Sequence, residues 1–386
     1  MLSFLKQKGA ALLQIRHTKP ETAVPGYYVT KFMKTQYGTP LQLEQGLRDH
    51  RVKEPISAEL LGRLIAAWRA MKTEPNELPE AYRVGGEWQS IISQAFHPLT
   101  RAFEEEDRHA LNDLLQNFFR RFGDFFGEPT DFTAEVHRRG RCEHFRVYAA
   151  RWIDLYGEEA MPDARPPLLG NPMGFVIDGA LIAADSFRHN FYARRMLDLA
   201  DDIENPIVCE VGGGFGGFAY HLLKRSQRSF KYIDYDIPVM CLVAAYYLTT
   251  AFPSKRMRLF GEGGSLVEPV RDCDVAILPN FALPRLQDRS VDMCFNTCSF
   301  AEMDEPTVQE YTRQFERVCR KFILYEDHSW TSSSKNAYYQ PMGGFKHWNL
   351  SRIEPSPVHF KRLHKIPSPF HADLFGEFFE WLYMRR

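Results

Sequence analysis

Ile207-Val-Cys-Glu-Val-Gly-Gly-Gly-Phe-Gly-Gly217 runs an apolar segment into a cluster of glycines, with the carboxylate of Glu210 two positions ahead of the first. A strand that ends in glycines and opens a helix, here through Phe218, Ala219, Leu222 and Leu223, lets backbone N–H groups approach a ligand with no Cβ in the way. Two templates fit. Gly212, Gly214 and Gly217 satisfy the dinucleotide pattern G-x-G-x-x-G, while Glu210, Gly212, Gly214 and Gly216, with Gly213 in the turn, satisfy an acid followed by G-x-G-x-G. Charge separates them. A dinucleotide brings two anionic phosphates, which Glu210 would repel, whereas S-adenosylmethionine brings a cationic sulfonium and an ammonium group, which it favours.

Further acids and polar groups follow at the ends of later apolar runs. Tyr232-Ile-Asp-Tyr-Asp-Ile-Pro238 puts Asp234 and Asp236 where a second strand ends, and a carboxylate there can accept hydrogen bonds from ribose hydroxyls. Asp236, directly before Ile-Pro and a helix start, is the first choice and Asp234 the second; either could instead cap the next helix. Asn296-Thr-Cys-Ser-Phe-Ala-Glu-Met303 supplies Asn296, Ser299 and Glu302 at the carboxyl end of another strand. Glu326-Asp-His-Ser-Trp330 offers His328, whose imidazole could take a proton from a hydroxyl. His328 ranks first as general base, then Glu302 and Asp327; a divalent metal held by Glu302 and Asp327 stays open, though no metal is required by the reading.

The elements that must position these groups change character along the chain. Apolar spacing predicts helices over 57–71, 104–122, 144–156 and 185–202. The segment from Met161 to Pro172 carries four prolines, which no helix interior accepts, and it sets a boundary between a mainly helical domain, 1–163, and a second domain, 164–386. In the second part short apolar strands are predicted at 207–211, 230–233, 257–260, 291–295 and 322–325, with helices between them. Two extended runs, 360–363 and 378–384, can pair as an antiparallel hairpin on the sheet edge.

Composition narrows the partners. Lys plus Arg is 48 against 49 for Asp plus Glu, so no global field draws the chain to nucleic acid. Seven cysteines without a C-x-x-C pair fit neither a disulfide framework nor a zinc site and point to a reducing cytoplasm. Lys6 and Lys8 interrupt the apolar N-terminus, so no membrane-spanning segment is expected there.

The blocks Gly170-Asn-Pro172, Cys209 to Gly217, Lys231 to Pro238 followed by Tyr246-Tyr-Leu248, and Asn296 to Met303 occur together in one order. In this the chain, from about Leu169 to Arg386, resembles the bacterial sugar O-methyltransferases, a family of class I S-adenosylmethionine-dependent enzymes. The resemblance implies a Rossmann-like, seven-stranded α/β sheet, a cofactor site at Glu210, Gly212, Gly214 and Asp236, and a sugar hydroxyl as acceptor. It does not extend to the N-terminal helices. Methyl transfer to a sugar, sugar nucleotide or glycan is therefore the expectation. Lys335, Lys346, Lys361, Arg362 and Lys365 read first as solvated surface and second as contacts to a nucleotide's phosphates. An NAD-dependent oxidoreductase and a non-catalytic methyltransferase-like binding module are the competing readings.

Overall fold

The inner strands of the second part are apolar and buried on both sides, which is what a parallel sheet covered by helices on each face requires. The computed structural model describes residues 55–74, 78–123, 135–172, 174–177, 180–226, 229–329, 349–371 and 378–386. After a small hairpin, β1 (Phe175–Ile177) with β2 (Ala180–Ile182), come β3 (Ile207–Val211), β4 (Lys231–Asp236), β5 (Met257–Leu259), β6 (Val275–Pro279), β7 (Val291–Thr297), β8 (Cys319–His328), β9 (Phe360–Pro367) and β10 (Phe378–Arg385). They form one sheet in the order β5-β6-β4-β3-β7-β8-β10-β9, parallel from β5 through β8, with β10 antiparallel to both β8 and β9. Winding runs outward one way from β3 through β4 to β6, and the other way through β7 to β8. That reversal opens a crevice at the carboxyl ends of β3 and β7, and the fold is Rossmann-like.

The helices are α1 (Ala58–Thr73), α2 (Gly86–Gln94), α3 (His97–Glu104), α4 (Arg108–Gln116), α5 (Phe118–Phe122), α6 (Glu135–Tyr156), α7 (Ala184–Leu199), α8 (Gly217–Arg225), α9 (Pro238–Ala251) and α10 (Glu305–Val318). Right-handed crossovers put α8 and α9 on one face of the sheet and α10 on the other. The first face is joined by α7, whose Tyr192 and the α8 residue Phe218 meet Phe295 of β7 at centroid distances of 5.5 and 4.3 Å. Among the described residues no helix is long and apolar enough to cross a membrane.

Three expectations need correction. The sheet has eight strands, not seven, because β6, lying between β4 and the edge strand β5, adds one to the seven expected. β6 itself was not expected: Val-Ala-Ile-Leu-Pro lacks the alternation that marks a half-exposed strand, since all five residues are buried. The helix expected over 104–122 is three helices, broken where Glu106 takes a left-handed φ of 54° and again at Asn117; Asp107 then caps α4 by accepting the His109 and Ala110 N–H groups. Its apolar stripe survives the breaks, with Leu111, Leu115, Phe118, Phe119 and Phe122 all buried.

The N-terminal helices sit against the carboxyl edge of the sheet. The Phe119 N–H donates to the Gly170 carbonyl at 2.9 Å, and the Phe119 ring meets Phe215 of the glycine turn edge-on at 4.9 Å. Asn280, just past β6, donates to the Tyr82 carbonyl at 3.1 Å, and the Trp88 indole donates to Glu302 at 2.8 Å.

Candidate active site

The turn after β3 is left-handed at Gly212, Gly214 and Gly216, with φ of 76°, 61° and 89°. These are the glycines of the acid-x-G-x-G-x-G template. Gly217, the third glycine of the dinucleotide template, has no left-handed φ; its constraint is packing, because a Cβ there would lie 2.5 Å from the His189 ring. At Gly212 a Cβ would collide with Ser299 Oγ, and at Gly213 it would lie 2.5 Å from Asp234 Oδ1. Asp234 accepts the Gly213 N–H at 3.2 Å, and Asp236 accepts those of Gly214 at 2.8 Å and Ile237 at 2.7 Å.

Register puts Glu210 beside Asp234, with Asp236 two residues on, so all three carboxyls point to the same face of the sheet. Glu210 is 1% exposed and accepts the Tyr232 hydroxyl. Burial pushes its carboxyl up to about 8; the Tyr232 hydrogen bond opposes this and the charge of Asp236 adds to it. Burial likewise lifts Asp236 to about 7 against the two amides it accepts. Asp234 rises well above the carboxylate range through burial and the charges of Asp236 and Glu210. Two buried acceptors here have no hydrogen-bond partner, Asp234 Oδ2 and Asn296 Oδ1. Buried acceptors are normally paired, so these call for donors from a ligand.

Asn296 and Ser299 close the other side of the turn. The Asn296 amide donates to the Val211 carbonyl at 2.8 Å and to Ser299 Oγ at 2.5 Å. Thus Glu210, Gly212, Gly213, Gly214, Gly216, Asp234, Asp236, Asn296 and Ser299 are gathered around one crevice. Of the three candidates for acid-base work, Glu302 holds the Trp88 indole, while Asp327, next to His328, accepts the Ala301 N–H at 2.9 Å and the His328 N–H at 2.8 Å. The His328 ring lies 3.9 Å from Asp327 and edge-on to Phe378. Lys335 and Lys346 fall outside the described residues. Arg362 pairs with Glu354, and Lys365 donates to Ser351 Oγ at 2.9 Å.

A second buried group, on the same face, was not singled out by sequence. Arg188 of α7, Thr297 and Cys298 at the end of β7, Glu326 of β8, Ser368 and His371 converge there, with Glu326 fully buried and His371 6% exposed. No fixed spacing links positions so far apart in the chain, so only the adjacency of α7, β7 and β8 could reveal them.

No family model matches the chain, and no curated protein matches it. Among solved structures it is similar to the magnesium protoporphyrin IX methyltransferase of Synechocystis PCC 6803 with bound S-adenosylmethionine, at 10% identity and a TM-score of 0.34, over 52% of this chain and 81% of that one. It is also similar to the small RNA methyltransferase HEN1, at 14% identity and a TM-score of 0.36, over 51% of this chain and 25% of that one. A third is the PH0226 protein of Pyrococcus horikoshii OT3, at 10% identity and a TM-score of 0.32, over 50% of this chain and 91% of that one.

Proposed function

We propose that the chain is an S-adenosylmethionine-dependent methyltransferase that transfers a methyl group to a hydroxyl of a sugar or glycoconjugate. The observation that carries the cofactor is the buried acid cluster at the left-handed glycine turn. Glu210, Asp234 and Asp236 face one crevice, and an acceptor oxygen of Asp234 has no partner. Such a site suits a cationic ligand bearing hydroxyl and amino donors. It disfavours the paired phosphates of NAD, the cofactor of the competing oxidoreductase reading.

Glu210 is assigned to the cofactor's cationic end, the glycine amides to its carboxylate, Asp236 and Asp234 to the ribose, and Asn296 and Ser299 to the remaining polar edge. When bound, S-adenosylmethionine supplies an electrophilic methyl group. The chain's own task is to hold the acceptor hydroxyl in line, exclude water and receive a proton. The sugar acceptor rests on the resemblance over residues 169–386. The N-terminal region, 1–163, is assigned to acceptor recognition, because its residues Phe119, Tyr82 and Trp88 lie against the carboxyl edge of the sheet. The buried free thiols at 209, 241, 273, 294 and 319 suit a reducing, cytoplasmic setting.

Isothermal titration of the full chain with S-adenosylmethionine, S-adenosylhomocysteine and NAD tests the cofactor. Binding of the first two and none of NAD is expected. Binding of NAD alone would move the reading to the oxidoreductase, and binding of none, in folded protein, to the non-catalytic module. Labelled methyl transfer to free hexoses, nucleotide sugars and oligosaccharides then tests the acceptor.

A further inference from the structure

The buried group between α7, β7 and β8 is a complete hydrogen-bond network built on one carboxylate. Glu326 accepts Ser368 Oγ–H at 2.5 Å and His371 Nδ1–H at 2.6 Å on one oxygen. Its other oxygen accepts Thr297 Oγ1–H at 2.8 Å and the Cys298 thiol at 3.4 Å. Four donors fill the lone-pair positions of an ionised carboxylate. Burial pushes the Glu326 carboxyl up, but the charge and hydrogen bond of His371, with the Arg188 guanidinium, outweigh it and hold it at about 2. An ionised carboxylate can only accept, so the proton between the two residues sits on His371 Nδ1.

We propose that His371, oriented by Glu326, is the general base that takes the proton of the acceptor hydroxyl, with Arg188 and Thr297 as the charges and dipoles that fix Glu326. The proposal rests on the methyl-transfer reading. The step itself is a proton transfer: the acceptor O–H bond breaks, its proton passes to Nε2, and the bonding pair stays on oxygen. Three observations place the base here. Thr297 and Cys298 lie between Asn296 and Ser299, the pair that closes over Gly212, so the network borders the glycine turn. The buried Tyr148 hydroxyl has no hydrogen-bond partner, and its ring stands 5.8 Å from that of His371, so a polar acceptor would find a donor beside the base. The His328 ring, by contrast, lies 3.9 Å from the Asp327 carboxylate, against 2.6 Å between His371 and Glu326.

Cys298, Glu326 and His371 also have the spacing of a metal site. Glu326 already accepts from His371 Nδ1 and Cys298 Sγ, and Arg188 donates at 2.7 Å to Thr297 Oγ1, which lies 3.6 Å from Cys298 Sγ. A divalent ion would share this pocket with a guanidinium, so the dyad is the better account.

Long-range ¹⁵N–¹H spectra of the histidine-labelled, cofactor-free full chain, together with elemental analysis of the same sample, give the test. Expected are an Nδ1–H tautomer at His371 that is lost in Glu326→Gln, no stoichiometric metal, and turnover lowered about 10²–10⁴-fold in His371→Ala. S-adenosylmethionine affinity should stay unchanged in that variant. His371→Asn guards against an alanine variant that fails to fold, and turnover in His328→Ala should fall far less than in His371→Ala. An Nε2–H tautomer, one bound metal per chain that disappears in Cys298→Ala, or an equal loss in His328→Ala would overturn the proposal. Failure of the unsubstituted chain to bind S-adenosylmethionine would instead sink the methyl-transfer reading and leave the tautomer to decide the dyad.

Discussion

Glu210→Gln separates the two jobs of the Glu210 carboxyl, because at pH 7 the cofactor-free protein holds it mostly protonated. With its pKa pushed up to about 8, against an ordinary value of 4.5, the native state binds a proton that the unfolded chain has released over the window between those values. The sign follows. This group's contribution is fully present below pH 4.5 and is lost as pH rises to 8, on the order of 5 kcal/mol at most. Glutamine mimics the neutral carboxyl and can still accept the Tyr232 hydroxyl, so the variant should match the parent's stability near pH 5 and exceed it at pH 8. A cationic ligand reverses the preference: it favours the carboxylate, and binding should expel a proton. In the parent the affinity for S-adenosylmethionine should therefore weaken about tenfold from pH 7 to pH 6, with release of up to about one proton per ligand at pH 7. In Glu210→Gln affinity at pH 8 should drop by about 10- to 100-fold, as loss of a charge-assisted contact implies, and proton release should fall by up to about one. Calorimetry in two buffers of different ionisation enthalpy reads both quantities. Equal affinity and equal proton release in parent and variant would refute the assignment of Glu210 to the cofactor's cation.

Gly212→Ala meets a left-handed φ of 76° and the Ser299 hydroxyl together; it should cost about 1–3 kcal/mol and abolish cofactor binding, as seen by thermal melts with and without ligand. Arg195→Ala leaves fully buried Glu380 without the guanidinium that contacts it at 2.5 Å, and should cost about 3–5 kcal/mol in denaturant unfolding. Phe119→Ala removes the edge-on contact with Phe215 at 4.9 Å; a loss of about 3–5 kcal/mol is expected, with weaker cofactor binding because the glycine turn loses its roof.

Much of this molecule is written locally. The glycine turn can be read from the chain because left-handed backbone is cheap for glycine alone, and the positive φ values fall at 212, 214 and 216 as the spacing demands. The hairpin of β9 with β10 and the helix α7 can be read for the same reason, since periodicity is a property of neighbouring residues. Where exposure on one face is absent, periodicity vanishes, and fully buried β6 escaped notice until β4 and β5 stood beside it. Helix breaks at Glu106 and Asn117 also escaped, because the Phe-rich stripe continues across them in packing though not in backbone. The acids 210, 234 and 236 were visible in sequence, yet their raised pKa values were not: these arise from burial and from strand register, which brings carboxyls of two strands onto one face. Arg188, Thr297, Glu326 and His371 span nearly half the chain, and only the packing of α7 against β7 and β8 turns four unremarked side chains into one network.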